Sequence, residues 1–193
     1  NDLSEKGYEL SVYCVNDCSK DSTKSVIINL VDEFPEKVHL IDHEVNKGLG
    51  GVLMTGFKFF LDNGQKGDIC ILMDGDNTHD PIFSLSMFEK IDNGADCVIA
   101  SRYCGDSETK GVSPIRLFMS WGAKQYYSIL LKVKNVKDYT CGYRAYTYDI
   151  IDRAYKKFGD NLVERRSFAC MMEVLYKLNL AGAKFDEVPF TLR

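Results

Sequence analysis

Asp74-Gly75-Asp76 places two carboxylates two residues apart, directly after an apolar run that ends at Met73. On a turn, side chains at that spacing can converge on one hard divalent cation. Mg²⁺ or Mn²⁺ takes one or two carboxylates and fills the rest of its shell with phosphate oxygens and water. A nucleotide diphosphate would complete such a shell. The competing reading is a solvated turn at the end of a strand. Arg102 and Arg116 could clamp a phosphate, because guanidinium offers fixed bidentate donors; either alone also reads as a surface arginine. Asn46-Lys47-Gly48-Leu49-Gly50-Gly51 opens a helix, and its backbone amides could meet an anion. It equally reads as a tight turn with close helix packing. Leu53 stands where a dinucleotide fingerprint would need its last glycine, and no Gly-Lys-Ser/Thr follows. His39 and His43 lie about 13 Å apart if the segment is extended, so they do not share an ion. His79, just past the acidic turn, is either a ligand contact or a plain turn residue.

The elements that must position these residues alternate in type. Apolar runs at Leu10 to Val15, Val38 to Ile41, Asp68 to Met73 and Asp96 to Ala100 read as strands. A helix is expected from Ser22, capped by Asp21 or Ser22, with Val26, Ile27, Leu30, Val31 and Phe34 at helical spacing. A second runs from Gly50 to Asn63, and Pro81 suits the first turn of a third. An amphipathic helix from Pro114 to Lys132 follows. The last third holds a short strand near Tyr143, two helices and a final strand through Val188. Strands separated by helices imply an α/β fold, a three-layer α/β/α sandwich around a mainly parallel (mixed) sheet. Ligands of such sheets bind outside the carboxyl ends of the strands, where Asn16, Asp17, Asn46, Asp74, Asp76, Ser101 and Arg102 fall.

Composition bounds the alternatives. The 193 residues are 45% hydrophobic and 27% charged, which excludes a disordered tail, a fibre or a rod. The net charge of −4 argues against a nucleic-acid partner. No apolar run approaches the ~20 residues of a membrane span, and the first residues show no signal peptide. Seven cysteines without a CxxC pair suit a reducing cytoplasm and no zinc site.

Taken in order, the motifs resemble inverting family 2 glycosyltransferases of the GT-A fold, in particular dolichol-phosphate (polyprenyl-phosphate) mannosyl- and glucosyltransferases. Val15-Asn16-Asp17-Cys18-Ser19-Lys20-Asp21-Ser22-Thr23 is similar to the family's V-D-D-G-S-x-D-x-T. Asn46, Gly48, Gly50 and Gly56 match N-x-G-x-G-x-A-x-x-x-G, apart from its alanine. Met73 to Pro81 resembles M-D-A-D-L-Q-H-P-P, and Ala100-Ser101-Arg102-Tyr103 resembles G-S-R-Y. Arg116 and Ser120 match R-x-x-x-S; Asp138 to Arg144 resembles D-x-T-S-G-F-R. Phe168, Glu173, Glu187-Val188-Pro189 and Arg193 match the closing pattern.

The resemblance implies roles. Asp74 and Asp76 hold Mg²⁺ or Mn²⁺ on the donor diphosphate. Asn16, Asp17, Asn46, Gly48 and Gly75 line the nucleotide-sugar site with them. Arg102, Arg116, Ser120, Gly142 and Arg144 serve the acceptor and its phosphate, and Asp76, Arg102 and Arg116 form the catalytic set. The donor is GDP-mannose or UDP-glucose, and the acceptor a lipid phosphate, a polyprenyl or dolichyl phosphate. Three departures stand out: Thr78 replaces the family's glutamine, Asn16 replaces its first aspartate, and its opening strand motif is missing. Residues 1–193 are therefore expected to be a single GT-A domain truncated at the N-terminus. The first two departures and the missing strand motivate a rival, a non-catalytic glycosyltransferase-like binding module. Asp74 to Thr78 also fits the DxDxT of haloacid-dehalogenase-type phosphatases, with Asp74 as nucleophile and Asp76 as acid/base. The 114–132 segment is either a core helix or an interfacial one making peripheral membrane contact. The expected location is the cytoplasm, at the cytoplasmic membrane face.

Overall fold

The computed structural model describes residues 3, 7–105, 131 and 133–191. Arg116, Ser120, Arg193 and all of the 114–132 helix except Leu131 lie outside the described residues. The elements run β1 (Val12–Asn16), α1 (Thr23–Glu33), β2 (Val38–Asp42), α2 (Gly48–Asn63), β3 (Ile69–Leu72), α3 (Ser84–Asp92), β4 (Cys97–Ser101), β5 (Arg144–Thr147), α4 (Tyr148–Phe158), α5 (Cys170–Leu180) and β6 (Phe185–Pro189). This is the expected α/β alternation. Asp21, not Ser22, caps α1: its Oδ1 accepts from the Thr23 amide at 3.0 Å. Pro81 opens a single 3₁₀ turn, capped by Asp80, before α3.

The expected single sheet is two sheets among the described residues. β1 and β2 pair in parallel around α1. The larger sheet has the order β3-β5-β4-β6. There β5 runs antiparallel to both β3 and β4, while β6 is parallel to β4. Thus β3, β4 and β6 point one way and end together, and β5 alone is reversed. Helix α2 joins the two sheets. Phe57 sets its ring 5.4 Å from Tyr146 of β5, edge on, and Phe59 sets its own 4.5 Å from Tyr13 of β1.

The core sits on the larger sheet. Every residue of β4 is buried, as are Ile150, Ile151 and Ala154 of α4 and Val174, Leu175 and Leu178 of α5. Helix α1 differs. It has the expected apolar spacing, yet none of its residues is buried; Val26 is 52% and Leu30 40% exposed. Periodicity shows that a helix has an apolar face, not that the face is covered. No helix among the described residues is long and apolar enough to cross a membrane.

Candidate functional site

Asp74 lies two residues past β3, on the rim where β4 and β6 also end. Asn77 adopts a φ of +64°, a left-handed conformation asparagine tolerates, and the chain turns back on itself. The turn brings the Thr78 amide and hydroxyl to Oδ1 of Asp76, at 3.0 and 2.6 Å. These bonds hold the Asp76 carboxyl below the usual carboxylate range. The Asp74 amide donates to Nδ1 of His79 at 3.0 Å, and the Asp74 side chain is 51% exposed. His79 is buried. Its ring stacks on Tyr143 at 5.0 Å and meets Phe190 edge on at 5.6 Å. Burial pushes its imidazole below the ordinary value, against the pull of Asp74 and Asp76. Gly142 faces the same carboxylate: a Cβ there would sit 3.6 Å from both Asp74 oxygens. The loop before β5 therefore closes over the acidic turn.

Arg102 follows β4 and is held by that loop. Its Nε and Nη2 donate to the two oxygens of Asp138, each at 2.8 Å, and Nη2 also reaches Thr140 Oγ1 at 2.5 Å. The Asp138 side chain is 0% exposed and also accepts the amides of Arg102, Thr140 and Cys141. Burial alone would raise its pKa, but Arg102 outweighs burial and holds the carboxyl low. Glu187 of β6 ties the loop down by accepting the Lys137 and Asp138 amides, both at 2.7 Å. Its carboxyl is pushed up by burial. Nη1 of Arg102 takes no part in these bonds.

A second cluster forms where β1 and β2 end. Asp17 caps α2 from a distance, its two oxygens accepting the Lys47 and Gly48 amides at 2.8 Å each. Its Oδ1 also meets His43 Nδ1 at 2.7 Å, and His43 Nε2 meets Thr55 Oγ1 at 2.9 Å. Burial pushes the Asp17 carboxyl up, and these donors more than reverse it. A carboxylate has about four lone-pair sites, so roughly one stays open for a ligand. Asn46 Nδ2 donates to the Asp17 carbonyl at 3.1 Å, while Arg166 straps the Asn46 and Lys47 carbonyls. Gly48 needs its φ of +74°, and a Cβ there would lie 2.6 Å from the Arg166 carbonyl; at Gly50 it would lie 2.0 Å from that of Arg165. The glycine-rich turn is thus a close-packing device. Its first amides are filled by Asp17 and by Arg166, whose carbonyl accepts from Gly50.

Two expected site residues are corrected. Arg144 is fully buried, and its guanidinium donates to the carbonyls of Cys141, Met171 and Tyr139, each at 2.8 Å. A cation so enclosed shapes the loop; it does not bind a phosphate. Asn16 is 3% exposed and turns inward, donating to Asp42 at 2.6 Å. Gly75 has open space where a Cβ would stand. His43, Thr55, Asp138, Glu187 and Arg166 were not among the expected site residues. Asp138 and Glu187 stood in family-like motifs without an assigned role, and His43 only in a histidine pair that shares no ion; nothing in the sequence pointed to Thr55 or Arg166. His39 stacks on Tyr13 and stands apart from His43's network. No cysteine among the described residues forms a disulfide.

Asp74 and Asp76 fit a hard cation in their donor chemistry: hard oxygens, the former half exposed, the latter with one oxygen outside the turn's own bonds. No group of three His, Cys, Asp or Glu among the described residues could hold a metal. A cation here would need oxygens from a bound ligand and water, as Mg²⁺ and Mn²⁺ commonly do.

Comparisons with known proteins bear on the family and the fold. The profile described as "Glycosyl transferase family 2" matches residues 1–154. Polyprenol monophosphomannose synthase of Mycolicibacterium smegmatis is 28% identical over 183 residues, 95% of this chain and 66% of that protein. Dolichol-phosphate mannosyltransferase of Pyrococcus furiosus is 31% identical over 192 residues, 99% of this chain and 49% of that protein. The chain thus spans about half to two thirds of these relatives. A solved structure of glucosyl-3-phosphoglycerate synthase from Mycobacterium tuberculosis, in complex with Mn²⁺ and UDP-glucose, superposes with a TM-score of 0.58. It shares 16% identity and covers 93% of this chain and 57% of its own, a likeness of fold.

Proposed function

Because this chain belongs to glycosyl transferase family 2, we propose that it moves a hexose from a nucleotide-diphosphate sugar, GDP-mannose or UDP-glucose, to a polyprenyl or dolichyl phosphate, with inversion. The family assignment displaces the phosphatase reading of Asp74 and Asp76. One observation carries the proposal: the half-exposed Asp74-Gly75-Asp76 turn lies against Gly142, in the loop whose Asp138 holds Arg102. Carboxylates for a cation and a guanidinium for a phosphate thus stand on one rim.

Asp74 and Asp76 would hold Mg²⁺ or Mn²⁺, which when bound supplies positive charge to the leaving diphosphate. Asp17 offers its remaining lone pair to the donor's base or ribose, beside Asn46 and Gly48. Arg102 is kept charged by Asp138, and its Nη1 edge, which bonds none of the described residues, serves a phosphate. Arg116, Ser120 and Gly142 complete the acceptor side. An acceptor phosphate is already an anion at neutral pH. It needs positioning and charge stabilisation more than a general base, which accords with the absence of a base in the proposed set. With a lipid acceptor the reaction would lie at a membrane surface, and the cysteine content favours its cytoplasmic face.

The test is a panel of nucleotide sugars, scored by thermal protection with and without Mn²⁺ and by transfer to polyprenyl phosphate. Ligand that binds the folded state raises its melting temperature as concentration rises. Protection by one donor only with Mn²⁺, together with transfer, is the expected result. Protection without transfer makes the chain a binding module; no metal-dependent protection removes the proposal.

A further inference from the structure

We infer that His79 is the positioning residue of the acidic turn: it sets the Asp74 carboxylate for a divalent cation and is not itself a ligand. This rests on the metal-assisted reading proposed above. A backbone N–H can only donate, so Nδ1 of His79, 3.0 Å from the Asp74 amide, must accept. The ring is then the Nε2–H tautomer. Neither nitrogen has a lone pair left for a metal: one is engaged by the amide, the other carries the proton.

What Nε2–H does face is the Asp74 side chain, with Oδ2 at 3.8 Å. That is too long for a hydrogen bond and close enough for the N–H dipole to attract the carboxylate. The imidazole therefore holds Asp74 by its amide, and the N–H adds only a weak attraction from across the carboxylate. The ring has little freedom to move, stacked on Tyr143 at 5.0 Å and edged by Phe190 at 5.6 Å. Tyr143 is itself anchored, its hydroxyl donating to the Asp80 carbonyl at 3.0 Å. The clasp closes a ring of contacts from residue 74 through 79 and 80 to 143, next to Gly142 at the carboxylate. Asp76 has its own restraint in Thr78. Asp74 is thus restrained through its backbone and Asp76 through its carboxyl, by two residues of the same turn.

The experiment measures Mn²⁺ binding with GDP or UDP present, from the free-ion electron paramagnetic resonance signal, for wild type, His79→Asn and His79→Leu. Asparagine keeps an acceptor at the position of Nδ1 but does not fill the aromatic slot; leucine fills the slot and has no acceptor. Loss of an outer-shell partner costs about 10–100-fold in metal affinity, so that loss is expected for His79→Leu, with His79→Asn within about threefold of wild type. Circular dichroism checks that each variant folds. A role in packing alone reverses the order, leucine binding well and asparagine poorly, and overturns the inference. A tenfold or greater loss in folded His79→Asn overturns it whatever leucine does. Equal binding by all three overturns it alone, whereas a wild type that binds no Mn²⁺ with either nucleotide removes the proposed function as well.

Discussion

The two sheets carry their loops in contrasting ways. In the larger sheet β4 is wholly buried, so Arg102 rests on a close-packed foundation, while the acidic turn follows the half-buried β3. In the β1–α1–β2 unit no α1 residue is buried, and the Asp17 loop is held instead by a polar network through His43, Thr55, Lys47 and Gly48. Packing resists displacement everywhere at once, because interiors are dense. A network of hydrogen bonds can be opened one bond at a time. Arg102, on the side assigned to phosphate, is therefore backed by close packing, and Asp17, on the side assigned to the nucleotide base, by hydrogen bonds.

Five variants test this contrast. The largest effect on stability is expected for Asp138→Ala, which strands the Arg102 charge in a mostly buried site and should cost about 3–5 kcal/mol in urea unfolding. The same carboxyl gives a pH signature. Its folded pKa lies below its unfolded one of about 3.9, so its contribution is complete above that value and is lost as pH falls through the lower folded one. Asp138→Asn should accordingly flatten the acid limb of the stability curve below about pH 4. Next comes Asp76→Asn, which should lower transfer by about 100- to 1000-fold through lost charge stabilisation. Its melting temperature should hardly change, because the side chain sits on an exposed turn; a large drop would mean that the turn supports the fold. Asp17→Ala removes a remote helix cap and should cost about 1–2 kcal/mol. It should also weaken nucleotide protection more than Mn²⁺ binding, and an equal loss of both would deny the division of labour. The smallest effect belongs to Leu30→Ser on α1, less than about 0.5 kcal/mol because the site is already exposed. A cost above 2 kcal/mol would show that something covers that face in solution.

What was legible in the chain was local. Asp74, Asp76 and Thr78 lie within five residues, and their turn follows from an apolar strand stopping at charge. The helices followed from apolar spacing and the strands from short apolar runs. What was not legible was distant. Arg102 and Asp138 are 36 positions apart, and nothing in either neighbourhood says that they meet. The family resemblance put Arg144 on the acceptor side, yet the turn at 139–141 and the start of α5 present it with three carbonyls. Asn16 was read from its place after a strand, and its inward rotamer came from Asp42 on the next strand.

The sequence by itself determined the α/β order, the family and the acidic turn, because each depends on residue type and short-range spacing. Only the tertiary structure decided which polar groups remain open to a ligand. Hydrogen-bonding capacity is finite, and buried donors and acceptors must be matched. Long-range packing assigned Arg144 and Asn16 to the protein itself, set His79 against Asp74, and left the outer edge of the acidic pair without a partner among the described residues.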